Sequence, residues 1–472
     1  MPAISGSRGD VQAVVASPAV PLRDTRQVVL LEAALVAAAA VFYLSPLPIA
    51  LAGLAALAVL TWRRLDLALP LVLLFAPFYS EPRHIGSHAF APSEIFLTLD
   101  VVIALALLAT RRLTVRVDAL RSNPFLWPAA LLFLGATLST LLAMDRHDAL
   151  DWYLLTVVEP LAFFVLAVSV LRERWQWVLL AAAVVAAGLV AGIIGLVAAL
   201  PMGLHGVMQH VRGPYGSPDN LGLLYDRVIP LTAALAAAAA GRLRSLWWAI
   251  LVFTGAVLIL TYSRGAWAGV AAGVLFMAAL ATRRGPWLVV GTVVLAVGAG
   301  VIAGPKIVHA LRVGHAGTVQ RRVDIWHSAV SMIHNHPLLG VGPDNFQRYY
   351  APTRQEDRWQ HDCAPGLGYM QPSEGWEPCL SHPHEEILDF WLSTGILGLI
   401  AYAWLQVMFW RRALKDWFVR RDALTLGVMG AMLAGLVHGL VDNSYFLPDL
   451  ALIFWLLCAL AVALPPSTRR AA

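Results

Sequence analysis

Charge is what this sequence has least of. Of its 472 residues only 13% are Asp, Glu, Lys or Arg and 59% are hydrophobic, where soluble domains run at roughly 25% and 45–50%. Mean hydropathy is +0.69. That excludes a water-soluble globular fold. It also removes the argument for nucleic acid from a net charge of +5, because basic residues of a membrane protein are read by side and not as a sum. Cysteine is scarce, with three in all. Cys363 and Cys379 share one hydrophilic stretch and Cys458 lies in an apolar one, so a single disulfide and no disulfide both remain open. No CxxC or HExxH spacing is present, which argues against a metal centre and leaves His382-x-His384 with a carboxylate as a lesser metal reading. The first 27 residues lack the basic-then-apolar layout of a cleaved leader, so the first apolar segment is expected to be an uncleaved anchor.

Hydrocarbon comes in runs. A spanning helix needs about 20 apolar residues, with a range of roughly 17–25. Fourteen segments approach that, near 28–44, 47–62, 66–79, 94–110, 125–143, 150–171, 176–200, 219–240, 246–262, 265–282, 286–304, 387–410, 423–441 and 447–465. The second and third are short, and an early re-entrant or interfacial pair would leave twelve spans. The expected fold is an all-α polytopic membrane protein of 12 to 14 transmembrane helices with one large, partly helical outward loop. Every second connection is rich in arginine, and with the two tails these hold 22 of the 34 Lys and Arg, which marks the cytoplasmic side. The expected division is a cytoplasmic tail at 1–27, transmembrane helices over 28–304, the outward loop 305–386, C-terminal transmembrane helices over 387–465 and a cytoplasmic tail at 466–472.

Within the loop, Val319, Val323, Trp326, Val330 and Ile333 keep helical spacing, which predicts an amphipathic helix lying on the membrane surface or over a cavity. The continuation "HPLLGVGPDNF" is punctuated by Gly and Pro and must turn.

The outward turns carry isolated arginines with histidines beside them and few acids. "EPRHIGSH" holds Arg83, "MDRHD" holds Arg146, and "MQHVRGPYGSPDNLGLLYDRVIPL" holds Arg212 and Arg227. "LTYSRGAWAG" holds Arg264, "QRRVD" holds Arg321 and Arg322, and "CLSHPHEE" holds His382 and His384. An ionised side chain at the bilayer centre costs at least ~2.5–3.5 kcal/mol, so an Arg flanked by apolar sequence is read as functional. The guanidinium fork matches phosphate geometry, and converging arginines at the membrane edge suit a lipid diphosphate. The alternative is that each Arg snorkels to headgroups by itself. That alternative weighs more on Arg83 and Arg146 than on Arg264 and Arg227. His384 opens an apolar segment, where a helix N-terminus favours the neutral imidazole a general base needs, against the pull of Glu385 and Glu386. His438 and Asp442, four apart, are expected to share a helix face in a capping or packing role.

"LTYSRGAWAGVAAGVL", "RRVDIWHSAVSMIHNHPLLGVGPDNF" and "HPHEEILDFWLSTGILGLIAYAW" resemble, in that order, the signature region of the O-antigen ligase and polymerase superfamily of polytopic bacterial membrane proteins. The resemblance covers roughly 205–460. The His-x10-Gly-x2-Gly pattern is met by His384, Gly395 and Gly398, and where the family usually has a small polar residue after this His the chain has Glu385. The resemblance implies transfer of a glycan from undecaprenyl diphosphate to lipid A-core on the periplasmic face of the inner membrane, with inversion and without metal or cofactor. It implies His384, Arg264 and Arg212 as catalytic, and Arg227, Arg322, Arg321, Arg83, Arg146 and His382 as substrate-binding. The implied partners are the lipid-linked glycan, the lipid A-core acceptor and membrane lipids. A polymerase or a pilin-glycosylating ligase of the same superfamily, or a transporter of lipid-linked sugar, stays as an alternative.

Overall fold

The computed structural model describes residues 25–86, 88–115, 117–204, 210–282, 317–349 and 382–464. They form α1 (Thr25–Leu44), α2 (Leu47–Arg63), α3 (Leu65–Phe75), a short hairpin of β1 (Arg83–Ile85) and β2 (His88–Phe90), α4 (Pro92–Ala109), α5 (Val117–Arg121) and α6 (Leu126–Leu141). Then come α7 (Arg146–Tyr153), α8 (Glu159–Val170), α9 (Arg174–Leu204), α10 (Pro218–Ala238), α11 (Gly241–Thr261) and α12 (Arg264–Ala281). The chain continues with α13 (Gly317–Asn335), α14 (Phe346–Tyr349), α15 (Glu386–Arg420), α16 (Ala423–Gly439) and α17 (Pro448–Ala463).

Among the described residues, eight helices are long and apolar enough to cross a membrane, α7 and α8 counting as one, and five shorter ones are apolar. In hydrocarbon every backbone polar group must be satisfied within the chain, which is why such a sequence folds as helices. Thirteen of the fourteen expected segments are therefore helical, and the remaining one, 286–304, lies outside the described residues, as do Cys363 and Cys379. The two short early segments are separate helices, and α3 is buried from Leu65 to Leu73. The most enclosed span is α10, with 83% of its apolar window buried; it packs on α11 and α16, while α6 packs on α15 and α12 on α16.

Two close approaches shape one end of the bundle. Gly265, Gly269 and Gly273 recur every four residues along α12, and a Cβ at Gly269 or Gly273 would lie 2.6 Å from Ala434 O or 2.5 Å from Gly430 O of α16. Small residues at that period let two helix backbones meet. The second is a break in α15. Gly395 has φ +68 inside the helix, so Ile396 N–H cannot reach Leu392 O as helical geometry requires. The "HPLLGVG" turn repairs both sides: Ile396 N–H donates to Leu338 O at 3.0 Å, and Leu392 O accepts from Val341 and Gly342 N–H at 2.7 and 3.1 Å. Asn345 carries the stitch onward, accepting from Asp145 N–H at 2.8 Å and donating to Asp145 O at 3.0 Å.

The expected amphipathic helix is α13, but its buried stripe is Ile325, Ala329, Met332 and Ile333, packed with Val341, Phe346 and Leu392. Val330 is 55% exposed. The helix docks on the first turns of α15, so its apolar face follows the break in that helix.

Candidate active site

The last turn of α16 and the loop after it, His438 to Ser444, gather side chains from three other elements. Asn443 Oδ1 stiffens the loop by accepting from Tyr445 and Phe446 N–H at 3.1 and 2.8 Å. His438 Nδ1 lies 2.8 Å from Asp226 Oδ2 of α10. Val441 O accepts from Arg322 of α13. Asp442 Oδ1 lies 2.9 Å from Nδ1 of His384, just ahead of α15. Ser444 accepts from Arg227 at 2.6 Å through both its carbonyl and its hydroxyl. His438 and Asp442 thus do not share a helix face: α16 ends at Gly439, and each residue goes to a different partner.

His384 has φ +51, a left-handed conformation that turns the chain sharply before α15. Its N–H donates to His382 Nδ1 at 3.2 Å, and the two rings meet edge to face with centroids 4.3 Å apart. Glu385 is the N-cap of α15, its carboxylate accepting from Leu388 N–H at 2.8 Å, as a capping acceptor does. Burial alone would raise the Asp442 carboxyl, but the charge and hydrogen bond of His384, with His382 and His438, hold it well below the ordinary carboxylate range. His382 is pushed down to about 3, first by burial and then by His384 and Arg322, against the pull of Asp442. With Asp442 ionised, a neutral His384 would donate from Nδ1 and keep its lone pair on Nε2, the arrangement of a general base. The His384 side chain is 18% exposed, so a substrate can reach it. His382, His384 and Asp442 also bring three ligand-type atoms within 4.8 Å of one another, a donor set that a divalent ion would accept.

The expected arginines fall into two groups. Arg264 is the first residue of α12 and exposed. It stands beside the His438–Asp442 turn, because a Cβ at Gly265 would lie 2.5 Å from His438 Nε2 and 3.3 Å from Val441 Cγ2. Arg212 is exposed and runs alongside the α11–α12 turn: Val211 N–H donates to Leu260 O at 3.0 Å, and His210 stacks on Tyr262 at 4.9 Å. Arg322 joins the same turn through Val441 O. Arg146 is exposed and reaches this end of the bundle through the Asp145–Asn345 bonds. Arg83 and Arg227 are held by the protein. Arg83 donates to Tyr43 O and Ser45 O at 2.7 and 3.0 Å and lies over Phe42, 5.1 Å from its centroid. Arg227 is 4% exposed and, besides Ser444, bonds Leu223 O at 2.8 Å. The side chain of Arg321 lies outside what is described.

Sequence reasoning missed Asp442 as the partner of His384 and Asp226 as the partner of His438. The pairs lie 58 and 212 residues apart, and no local spacing signals them. The one available hint was an excess of buried-segment acids, Asp226 and Asp442, each needing a cation nearby.

Residues 249–403 match a family model described as O-antigen ligase. The match runs from within α11 to within α15, so it contains Arg264, Arg322, His384, Gly395 and Gly398 and leaves out Arg212, Arg227, His438 and Asp442. No curated protein matches the chain.

Proposed function

We propose that this multi-pass membrane protein, whose residues 249–403 carry the domain of the O-antigen ligase/polymerase superfamily, is an O-antigen ligase. It would take polysaccharide from undecaprenyl diphosphate and attach it to a sugar of lipid A-core, on the periplasmic face of the bacterial inner membrane. The superfamily consists of glycosyltransferase-like ligases and polymerases acting on lipid-linked glycans and acceptors; the choice of donor, acceptor and side is the proposal.

The observation that carries it is the His384–Asp442 pair, whose Asp442 lies on the short turn that packs against the helix headed by Arg264. In the proposed reaction the acceptor hydroxyl gives its proton to His384 Nε2 as its oxygen attacks the anomeric carbon. The bond from that carbon to the diphosphate breaks on the opposite side, which inverts the centre. Arg264, with Arg212 and Arg322, would hold the departing diphosphate, whose negative charge grows in the transition state; one preorganised donor in such a role is worth about 2.7–4 kcal/mol. Asp442 fixes the tautomer and stabilises the imidazolium that forms. Arg83 and Arg227 support the fold around the site through their carbonyl and hydroxyl partners.

Purified protein reconstituted with carrier-linked glycan and lipid A-core is expected to form the glycosidic bond. Extension of the glycan on its carrier would reassign it as a polymerase, and attachment to pilin alone as a pilin ligase. Carrier lipid appearing on the opposite leaflet with no bond formed would make it a transporter.

A further inference from the structure

His438 is only 2% exposed, and the mechanism above gives it no part. Its Nδ1 is taken by Asp226, itself fully buried and 3.6 Å from Arg227. Its Nε2 has no hydrogen-bond partner among the described residues. That nitrogen is aimed at the first turn of α12: a Cβ at Gly265 would lie 2.5 Å from it, so only glycine lets the ring edge come this close to the helix end.

The first turn of α12 is electrostatically unusual. Ser263 Oγ accepts from Ala266 N–H at 3.4 Å, while the amides of Arg264 and Gly265 stand at the open end, where a helix has no internal partner for them. A helix N-terminus carries about half a positive charge and favours acids in its first turn. Here the first residue is Arg264, and the first turn holds no acid. Of the acids near His438, Asp226 bonds the far nitrogen of its ring, while Asp442 and Asp219 act on it only through their charge. Cationic side chain, helix end and imidazole edge thus crowd together, an arrangement that an anion in their midst would stabilise.

We infer that His438 Nε2 and the first turn of α12 form one diphosphate subsite, with His438 donating from below to the anion that Arg264 holds from the exposed side. The inference rests on the proposed reading of Arg264 as a diphosphate ligand and adds a contact to it. Asp226 at Nδ1 and the anion at Nε2 together keep the ring as an imidazolium that donates from both nitrogens. Gly265 is then required for the approach.

The test uses full-length protein in nanodiscs and measures binding of undecaprenyl diphosphate, with undecaprenol as the phosphate-free control. His438→Asn keeps a group at the Nδ1 position for Asp226 and removes Nε2; it is expected to weaken diphosphate binding roughly tenfold, leave undecaprenol binding unchanged and keep Tm near wild type. His438→Gln restores a donor near the Nε2 position and is expected to lose less. Should His438→Asn fail to fold, Gly265→Ala displaces the imidazole edge without touching the Asp226 bond and is expected to weaken diphosphate binding alone. A folded variant of either kind that binds the diphosphate as wild type does overturns the inference. If Arg264→Ala loses diphosphate binding while His438→Asn keeps it, only this subsite falls. If wild type binds no diphosphate, the proposed function falls with it.

Discussion

His384 Nδ1 and Asp442 Oδ1 lie 2.9 Å apart, and this bond decides which nitrogen of the neutral ring carries the proton. Asp442→Asn is the sharpest probe of it. An amide can donate to Nδ1 as readily as accept from it, which would move the ring proton to Nε2 and remove the lone pair needed for the acceptor hydroxyl. Transfer is expected to fall about 10²–10⁴-fold, the usual worth of a general base, with diphosphate binding kept. A folded Asp442→Asn protein that transfers near the wild-type rate would show that the pair does not orient a base.

The same cluster predicts acid sensitivity of the fold. His382 is held at about 3, below its ordinary 6.5, so between those values the unfolded chain binds a proton that the folded chain refuses, and stability falls as pH falls. Asp442, also held low, acts in the same direction at lower pH: its stabilisation is present above the unfolded value of roughly 3.9 and is lost as pH drops through the folded one. Tm is expected to decline from about pH 6.5 downward, and His382→Asn to flatten the upper part of that decline. An unchanged slope in His382→Asn would show that His382 is charged in the folded protein.

Most of the fold was legible because membrane spans are written in composition, and thirteen of fourteen segments were found from apolar length alone. The candidate site was legible only where the chain is locally odd, as at Arg264 and His384, which the fold brings to the same turn. Arg227 looked as exceptional in sequence as Arg264, and Arg83 less so, but Tyr43, Ser45, Leu223 and Ser444 supply their partners through carbonyls and a hydroxyl that no hydropathy pattern reveals. The break at Gly395 was visible only as a motif residue. Its physical cause, a second segment supplying the missing helical hydrogen bonds, depends on contacts across more than fifty residues.

That break yields a third prediction. Gly395→Ala places a side chain at φ +68 with its Cβ 2.8 Å from Leu339 Cα. With ψ at −176 the backbone lies in a region essentially reserved for glycine, which costs a side chain about 1–3 kcal/mol, and the clash adds to it. A fall in Tm is expected together with loss of transfer, because the segment from Leu338 to Asn345 ties α15 to the Asp145 turn. Gly255→Ala, where a Cβ meets nothing within 4 Å, is expected to leave both unchanged. Equal behaviour of the two variants would remove the structural role of the break.

Metal dependence separates the two uses of His382, His384 and Asp442. If His384 is a base, its lone pair must be free, and an ion bound by the three would occupy it. Extensive chelation is therefore expected to leave transfer intact, and added Zn²⁺ to inhibit it. Loss of transfer on chelation with recovery on adding Mg²⁺ or Mn²⁺ would instead assign a metal to the reaction.

Arg264 and His384 are proposed to act in one step, and their variants should differ in kind. His384→Ala removes a group that meets only the acceptor proton, so kcat is expected to fall steeply while diphosphate binding persists. Arg264→Ala removes a group that touches the diphosphate in the ground state and holds it more tightly as it leaves, so binding and kcat should both weaken. Arg264→Lys is expected to rescue poorly, because an ammonium lacks the bidentate fork. Residues that work as a unit are grossly non-additive, so the double variant should be little worse than His384→Ala. Rates that multiply instead would place the two residues in separate steps. A folded His384→Ala protein still joining long glycan to lipid A-core at near wild-type rate would sink the mechanism outright.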